Sequence, residues 1–559
     1  MRFHLRFLLL ASCVMALFVS CEQGSGKRQA PIMRDSTHYT EEEYINLAID
    51  SNQLNTFLQK NAAYAPYTDF IKDFYTKRDF HYAWISATGP TEQASSFINM
   101  IRTDAHFGIG DSSLMNKELG ALFDTLNNRV NDKEWKPNDS LVSKTEMLMT
   151  AQFFAYGDKV WGGMTADSAK DLEWFIPRKK MDMASLLDSL IANPNQDLSG
   201  NEPVNKQYRL LRKELSRINK IAEEIPHDSL FLDKKTYKKG DSAAVIAKVK
   251  ERLHAWGDLP NLDSSAIFDA GLDSAIRHYQ GRMGLTVNGQ LQQATINSLN
   301  VPVAKLVEKI LINMERLRWV PVDVKGEYIL VNIPEFKLHV FDHDSLAWSC
   351  NVVVGTPGAS TVIFSREMKY VVFAPYWNVP PGILSREILP AVKRNPSYLA
   401  RHNMEVVGAS GKVIPTSSIS WSKYTGRNFP YIIRQKPGRS NSLGKVKFLF
   451  PNEYNIYLHD TPSKHLFQET KRSFSHGCIR VSEPRRLAEY LLRHDSTWTD
   501  KKIDEAMNAK KEKYVVLKDK VPVFIGYFTA WVNHNGVLNF RNDVYGHDAQ
   551  LAKQLFSKE

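Results

Sequence analysis

Two short stretches decide the reading of this chain: Tyr457-Leu458-His459-Asp460-Thr461-Pro462 and Ser475-His476-Gly477-Cys478-Ile479-Arg480. Fifteen residues, 460 to 474, separate His459 from Ser475. A thiol is only slightly ionised at neutral pH, and an imidazole folded beside it lowers its pKa or takes its proton. Cys478 and His459 are therefore a candidate nucleophile and base. Gly477, next to the cysteine, lets backbone N–H groups approach a reacting carbonyl as an oxyanion hole. His476 competes with His459 on local geometry, because on an extended strand residues two apart share a face. The bland alternative for Cys478 is a buried, inert thiol.

The bulk composition narrows the setting. Of the 559 residues, 43% are hydrophobic and 24% charged, the balance of a chain with large cores and about three or four domains. The net charge is +11. Basic runs such as Arg178-Lys179-Lys180 are not interleaved with aromatic stacking residues, which argues against nucleic acid. The four cysteines are Cys13, Cys21, Cys350 and Cys478. They are too few for a disulfide framework, and no CxxC pair offers a zinc site. Cys350 reads as a small packed hydrophobe at a strand start.

Outward from the two stretches, the chain from 310 to 545 is rich in strand patterns. Tyr328–Ile333, Phe336–Phe341, Cys350–Val354, Tyr370–Ala374, Tyr431–Arg434, Lys447–Phe450 and Tyr454–His459 carry β-rich runs. Asn533-His534-Asn535-Gly536 marks a hairpin. Residues 383–430 interrupt the pattern with helix-like and Gly/Ser-rich segments, as an insertion capping the site would. Residues 238–300 form a compact helical unit: Val245, Val249 and Leu253 recur at fours, Gly257 suits a helix end, and Phe268-Asp269 starts a second helix. Residues 41–235 show apolar spacings of three and four, the mark of a helical scaffold. Trp84, Trp161 and Trp174 read there as core, with a groove lining as the alternative.

The N-terminus reads as an address. Arg2 and Arg6 precede the apolar stretch Phe7–Val19, too short to span a bilayer and suited to a signal peptide over 1–20. Ser20-Cys21 after that core resembles a bacterial lipobox, which makes Cys21 the lipidation candidate and 21–40 a tether. The competing site is Cys13.

The spacing His459, fifteen residues, Ser475-His476-Gly477-Cys478-Ile479-Arg480 resembles the L,D-transpeptidase signature at every position. Glu315-Arg316 with Trp319, Leu330-Val331-Asn332-Ile333-Pro334, Trp377-Asn378-Val379-Pro380, Pro437-Gly438, Asn441 with Leu443-Gly444, and Lys447-Phe448 resemble the large YcbB-type members. The 238–300 unit looks like the small three-helix peptidoglycan-binding domain of many wall enzymes, with Val287-Asn288-Gly289 in place of the usual acidic-Gly turn. The implied architecture is multidomain α+β: a mainly helical N-terminal scaffold, the peptidoglycan-binding domain, and a β-rich L,D-transpeptidase catalytic domain with an inserted cap.

By that resemblance Cys478 attacks the stem peptide, His459 is the base, and His476 supports the turn. Gly477 and Cys478 N–H groups meet the oxyanion, Ser475 belongs to the same loop, and Arg480 orients the loop or a substrate carboxylate. A backbone carbonyl or the Asp460 carboxylate orients His459. The implied reaction forms 3→3 cross-links through a thioester, with no metal or organic cofactor. The partners are peptidoglycan stem peptides and glycan, not nucleic acid, with the membrane reached only through the N-terminal anchor, on the periplasmic side of the cell envelope. The rivals are an L,D-carboxypeptidase or cross-link hydrolase using the same thioester, and a non-catalytic wall-binding lipoprotein.

Overall fold

The computed structural model describes residues 47–106, 114–129, 139–163, 166–177, 182–192, 202–224, 228–322, 324–343 and 345–556. The signal-peptide, tether and Cys21 readings lie outside them. The chain divides into two compact units.

The first unit comprises 47–98, 116–154 and 187–195, taken over its described residues. Its helices Ser51–Lys60, Thr68–Lys77, Lys117–Arg129 and Ser140–Tyr156 enclose a core that includes Trp84, Phe97 and Phe153. Trp84 is fully buried and lies against Phe97, so it fills a core and lines no groove. A buried carboxylate staples this unit. Glu146 accepts the N–H groups of Ala83 at 2.7 Å and Trp84 at 2.9 Å and the hydroxyl of Tyr75 at 3.1 Å.

The second unit holds the rest of the described residues, including those within 155–186 and those from 202 onward. Within it, helices Ala244–Ala255, Ala270–Arg282 and Gln293–Leu299 pack around Ile246, Val249, Leu253, Leu272, Ile276 and Ile296. Asp269 caps the second of these helices by accepting the Leu272 N–H at 2.7 Å, and Gly257 takes φ +80° past the end of the first. In the 288–289 turn it is Gly289, at φ +68°, that bears the left-handed conformation. The Gln280 side-chain Oε1 accepts both Asn288 and Gly289 N–H groups at 3.0 Å, so the turn needs no acidic residue.

The β-rich part is built from β1 (Glu327–Asn332), β2 (Lys337–Asp342), β3 (Ser345–Gly355), β4 (Ile363–Phe373), β5 (Val446–Leu449), β6 (Leu458–His459), β7 (Ser473–Ser475), β8 (Ile479–Val481) and β9 (Lys513–Gly526). The pairing order is β5-β6-β8-β3-β2-β1-β9-β4, and β5 pairs again with β4, so the sheet closes on itself. Closure removes edges and puts alternate side chains such as Leu338, Val340, Val352 and Val371 inside. The two-residue strand Trp174–Phe175 adds in parallel to β4, with Trp174 buried against Trp319 and Phe528.

Two details differ from the sequence reading. The run Tyr454–His459 is strand only at its last two residues. The Asn452 side chain holds the chain before them in a turn, bonding Phe450 O, Ile456 O, Tyr454 N and Ile456 N, and Asn455 takes φ +56°. Cys350 lies within β3 rather than at its start, buried as expected.

Between β4 and β5 the chain leaves the barrel at Trp377–Asn378 and returns through Ile432–Gln435, two strands that pair antiparallel. The excursion has its own core of Leu384, Ile388, Leu389, Val392, Leu399, Val406 and Ile433. Asn441, fully buried, fixes the return: its amide donates to Pro375 O and Lys436 O at 3.0 Å.

Candidate active site

Register, more than proximity in sequence, assembles this site. β6 pairs in parallel with β8, Leu458 opposite Ile479 and His459 opposite Arg480. On its other side β6 pairs with β5, Lys447 opposite His459. A bond from Ile479 N to Tyr457 O at 3.1 Å ties the two decisive stretches just after Cys478.

His459 is 5% exposed. Its Nδ1 lies 2.5 Å from the main-chain carbonyl oxygen of Asp460. A carbonyl only accepts, so Nδ1 carries the proton and Nε2 holds the free lone pair. The Asp460 carboxylate is spent elsewhere, on the Lys445 and Thr461 N–H groups at 2.8 and 2.7 Å and on Lys464 Nζ at 2.5 Å. Of the two candidate orienting groups, the backbone carbonyl holds the ring. Gly444, at φ +63°, makes this possible: a Cβ there would stand 2.3 Å from Asp460 Oδ2.

The Cys478 thiol donates to the carbonyl of Asn455 at 3.6 Å and makes no hydrogen bond to His459. Burial pushes its pKa up, while Tyr457 and the charge of Arg480 pull it down. The same burial, with Arg480 nearby, holds His459 down at about 4. At neutral pH both groups are uncharged, a thiol and an imidazole rather than an ion pair.

The loop between β7 and β8 is internally braced. Gly477 takes φ +113°, a conformation that favours glycine. Ser475, 4% exposed, donates its hydroxyl to Cys478 O at 2.5 Å and accepts the Gly477 N–H at 3.2 Å. The Gly477 amide is therefore engaged, whereas the Cys478 N–H makes no hydrogen bond among the described residues. His476 is exposed and forms no bond within the turn. Its Nε2 lies 3.3 Å from Glu387 Oε1 in the excursion described above. Arg480 is half-buried, its side chain forms no hydrogen bond or ion pair among the described residues, and burial lowers its pKa.

Tyr457 is a site residue that sequence reasoning missed. It favours the thiolate of Cys478, its own pKa is raised by burial and by Cys478, and its ring stands edge-on to His459 with centroids 5.7 Å apart. The signal was available in the sequence, where the Tyr454–His459 run reads as a strand and residues 457 and 459 of such a run share a face.

Residues 326–523 match the family described as the L,D-transpeptidase catalytic domain. The chain carries an L,D-transpeptidase domain. Residues 69–215 match a scaffold domain and 242–299 a domain described as "Putative peptidoglycan binding domain". Together with this L,D-transpeptidase domain they are consistent with a large YcbB-type member. A Haemophilus influenzae protein named "Putative L,D-transpeptidase" is 35% identical over 272 residues, which is 48% of this chain and 54% of that protein. The chain thus spans about half the length of that relative. Among solved structures, an L,D-transpeptidase from Mycobacterium smegmatis is 12% identical, covering 36% of this chain and 58% of that one, at TM-score 0.18. One from Stackebrandtia nassauensis is 13% identical, covering 52% and 95%, at TM-score 0.21. Among the described residues no helix is long and apolar enough to cross a membrane, and no group of three His, Cys, Asp or Glu side chains could hold a metal ion.

Proposed function

We propose that this chain is a peptidoglycan L,D-transpeptidase of the cell envelope that forms 3→3 cross-links, with Cys478 as nucleophile and His459 as base. The observation that carries the reading is the parallel pairing of β6 with β8, which sets an Nδ1-protonated His459 on the strand beside the Cys478 segment.

In the first half-reaction Cys478 Sγ attacks the carbonyl carbon of the bond before the terminal D-Ala of a tetrapeptide stem. The thiol proton passes to His459 Nε2 and from there to the departing D-Ala amine, leaving a thioester. The oxyanion formed on the way is met by the free Cys478 N–H. In the second half-reaction the side-chain amine of a neighbouring diamino acid attacks the thioester and loses a proton to His459. That proton returns to the sulfur as the thiol leaves. Arg480, uncommitted and close to the thiol, stabilises thiolate character as it develops or receives a substrate carboxylate. The peptidoglycan-binding domain supports the wall as the partner. The domain limits proposed are signal peptide 1–20, tether 21–40, scaffold 41–235, binding domain 238–300, and catalytic domain 310–545 with its cap at 383–430. Lipidation of Cys21 would hold the mature chain to a membrane.

Carbapenems test the acylation half directly, because they present a strained carbonyl to the thiol. Intact-mass spectrometry should find one adduct, mapped to Cys478 and absent from Cys478→Ala. An adduct on Cys350, or none, would count against the assignment.

A further inference from the structure

The nucleophile loop is also held from outside itself. Thr361, 1% exposed, donates its hydroxyl to the carbonyl of Gly477 at 2.7 Å and accepts the Gly355 N–H at 3.0 Å. Tyr545, close to the C-terminal end of the described chain, completes the brace. Its hydroxyl donates to Gly355 O at 2.7 Å and accepts the Thr361 N–H at 3.3 Å. Its own N–H donates to the Tyr527 hydroxyl at 2.8 Å, which in turn donates to Asp543 at 2.6 Å. The 355–361 turn has no slack: a Cβ on Gly355 would lie 2.1 Å from Ala359 O.

A trans peptide group is planar, and its C=O and N–H point in opposite directions. The Gly477 carbonyl and the Cys478 N–H belong to one such plane. Holding the carbonyl on Thr361 therefore turns the Cys478 N–H the other way, where it has no partner among the described residues. Glycine at φ +113° imposes little direction of its own, so the plane takes its orientation from what grips it. Ser475 grips the flanking groups, Gly477 N and Cys478 O. Among the described residues only Thr361 grips the carbonyl of this plane.

We propose that Thr361 is a positioning residue for acyl transfer: it aims the Cys478 N–H at the developing oxyanion, and Tyr545 holds Thr361 in place. The proposal rests on Cys478 being the nucleophile. Oxyanion donors act because they are already aimed when charge develops, so mis-aiming one slows only steps that form an oxyanion.

Two reactions at the same sulfur separate this role from general support. Alkylation by iodoacetamide displaces iodide and forms no oxyanion, whereas opening of a carbapenem does. In the full chain, Thr361→Val should slow carbapenem acylation roughly tenfold to a hundredfold, short of the loss on deleting a donor outright. Its alkylation rate and pH profile should stay those of the wild type. Thr361→Ser should recover most of the acylation rate, and Tyr545→Phe should show a weaker defect of the same kind. Wild-type acylation by Thr361→Val, or equal losses in both reactions, would overturn the proposal. A wild-type chain that is alkylated but never acylated would instead defeat the enzymatic reading itself.

Discussion

At the scale of single residues, the thiol and the imidazole are both neutral near pH 7, since burial raises Cys478 and holds His459 at about 4. Thiolate therefore accumulates only as pH climbs past the ordinary thiol range. The iodoacetamide rate at Cys478 should keep rising with alkaline pH, and Tyr457→Phe should move that rise higher still, because Tyr457 favours the thiolate. A plateau between about pH 5 and 7, the mark of a thiolate–imidazolium pair, would contradict this. The two histidines should also separate. His459→Ala should lower acylation by roughly a hundredfold or more, the usual loss of a general base. His476→Gln should keep most of the activity, since His476 is exposed and among the described residues pairs with Glu387 alone. Stopped-flow acylation rates decide it, and equal losses would count against the assignment. Cys478, His459 and the glycine turn were legible because they sit in two contiguous stretches. Asn455 and Thr361 were not, because their parts depend on a left-handed residue and on a brace between segments 116 residues apart in sequence.

At the scale of elements, the β-rich runs at β1 and β2 announced strands, and the spacings in 244–255 and 270–282 announced helices. Closure of the barrel could not be read. It depends on β5 pairing with both β4 and β6, and pairing between distant strands leaves no periodic trace. The two-residue strand Trp174–Phe175 is too short to show a period at all. The Glu146 staple carries its own prediction. Burial lifts Glu146 to about 7 from 4.5, despite the N–H groups it accepts. The folded state thus binds this proton more tightly than the unfolded chain. The associated stability is complete below about pH 4.5 and is lost as pH rises through about 7. Glu146→Gln should flatten that dependence and be less stable than wild type at acid pH, where its amide N–H₂ opposes a backbone N–H. Scanning calorimetry of both chains across pH tests this, and parallel curves would contradict it.

At the scale of the whole molecule, family resemblance made the sequence informative about the order of domains. Where the compact units divide was not legible, because the described residues within 155–186 and 202–235 belong with the barrel by contacts that no local pattern announces. An anchored chain should change compartment when its anchor is removed. Cys21→Ser should release the protein to the soluble envelope fraction, while the wild type sediments with membranes. Recovery of the wild type in the soluble fraction would contradict the anchor. The central claim is transfer rather than hydrolysis or mere binding, and one measurement reaches it. The purified chain without residues 1–21 is incubated with tetrapeptide muropeptides, and the products are resolved by mass. The account predicts 3→3 cross-linked dimers with release of D-Ala, and no product from Cys478→Ala. Tripeptides without dimers, or dimers that persist in Cys478→Ala, would contradict it.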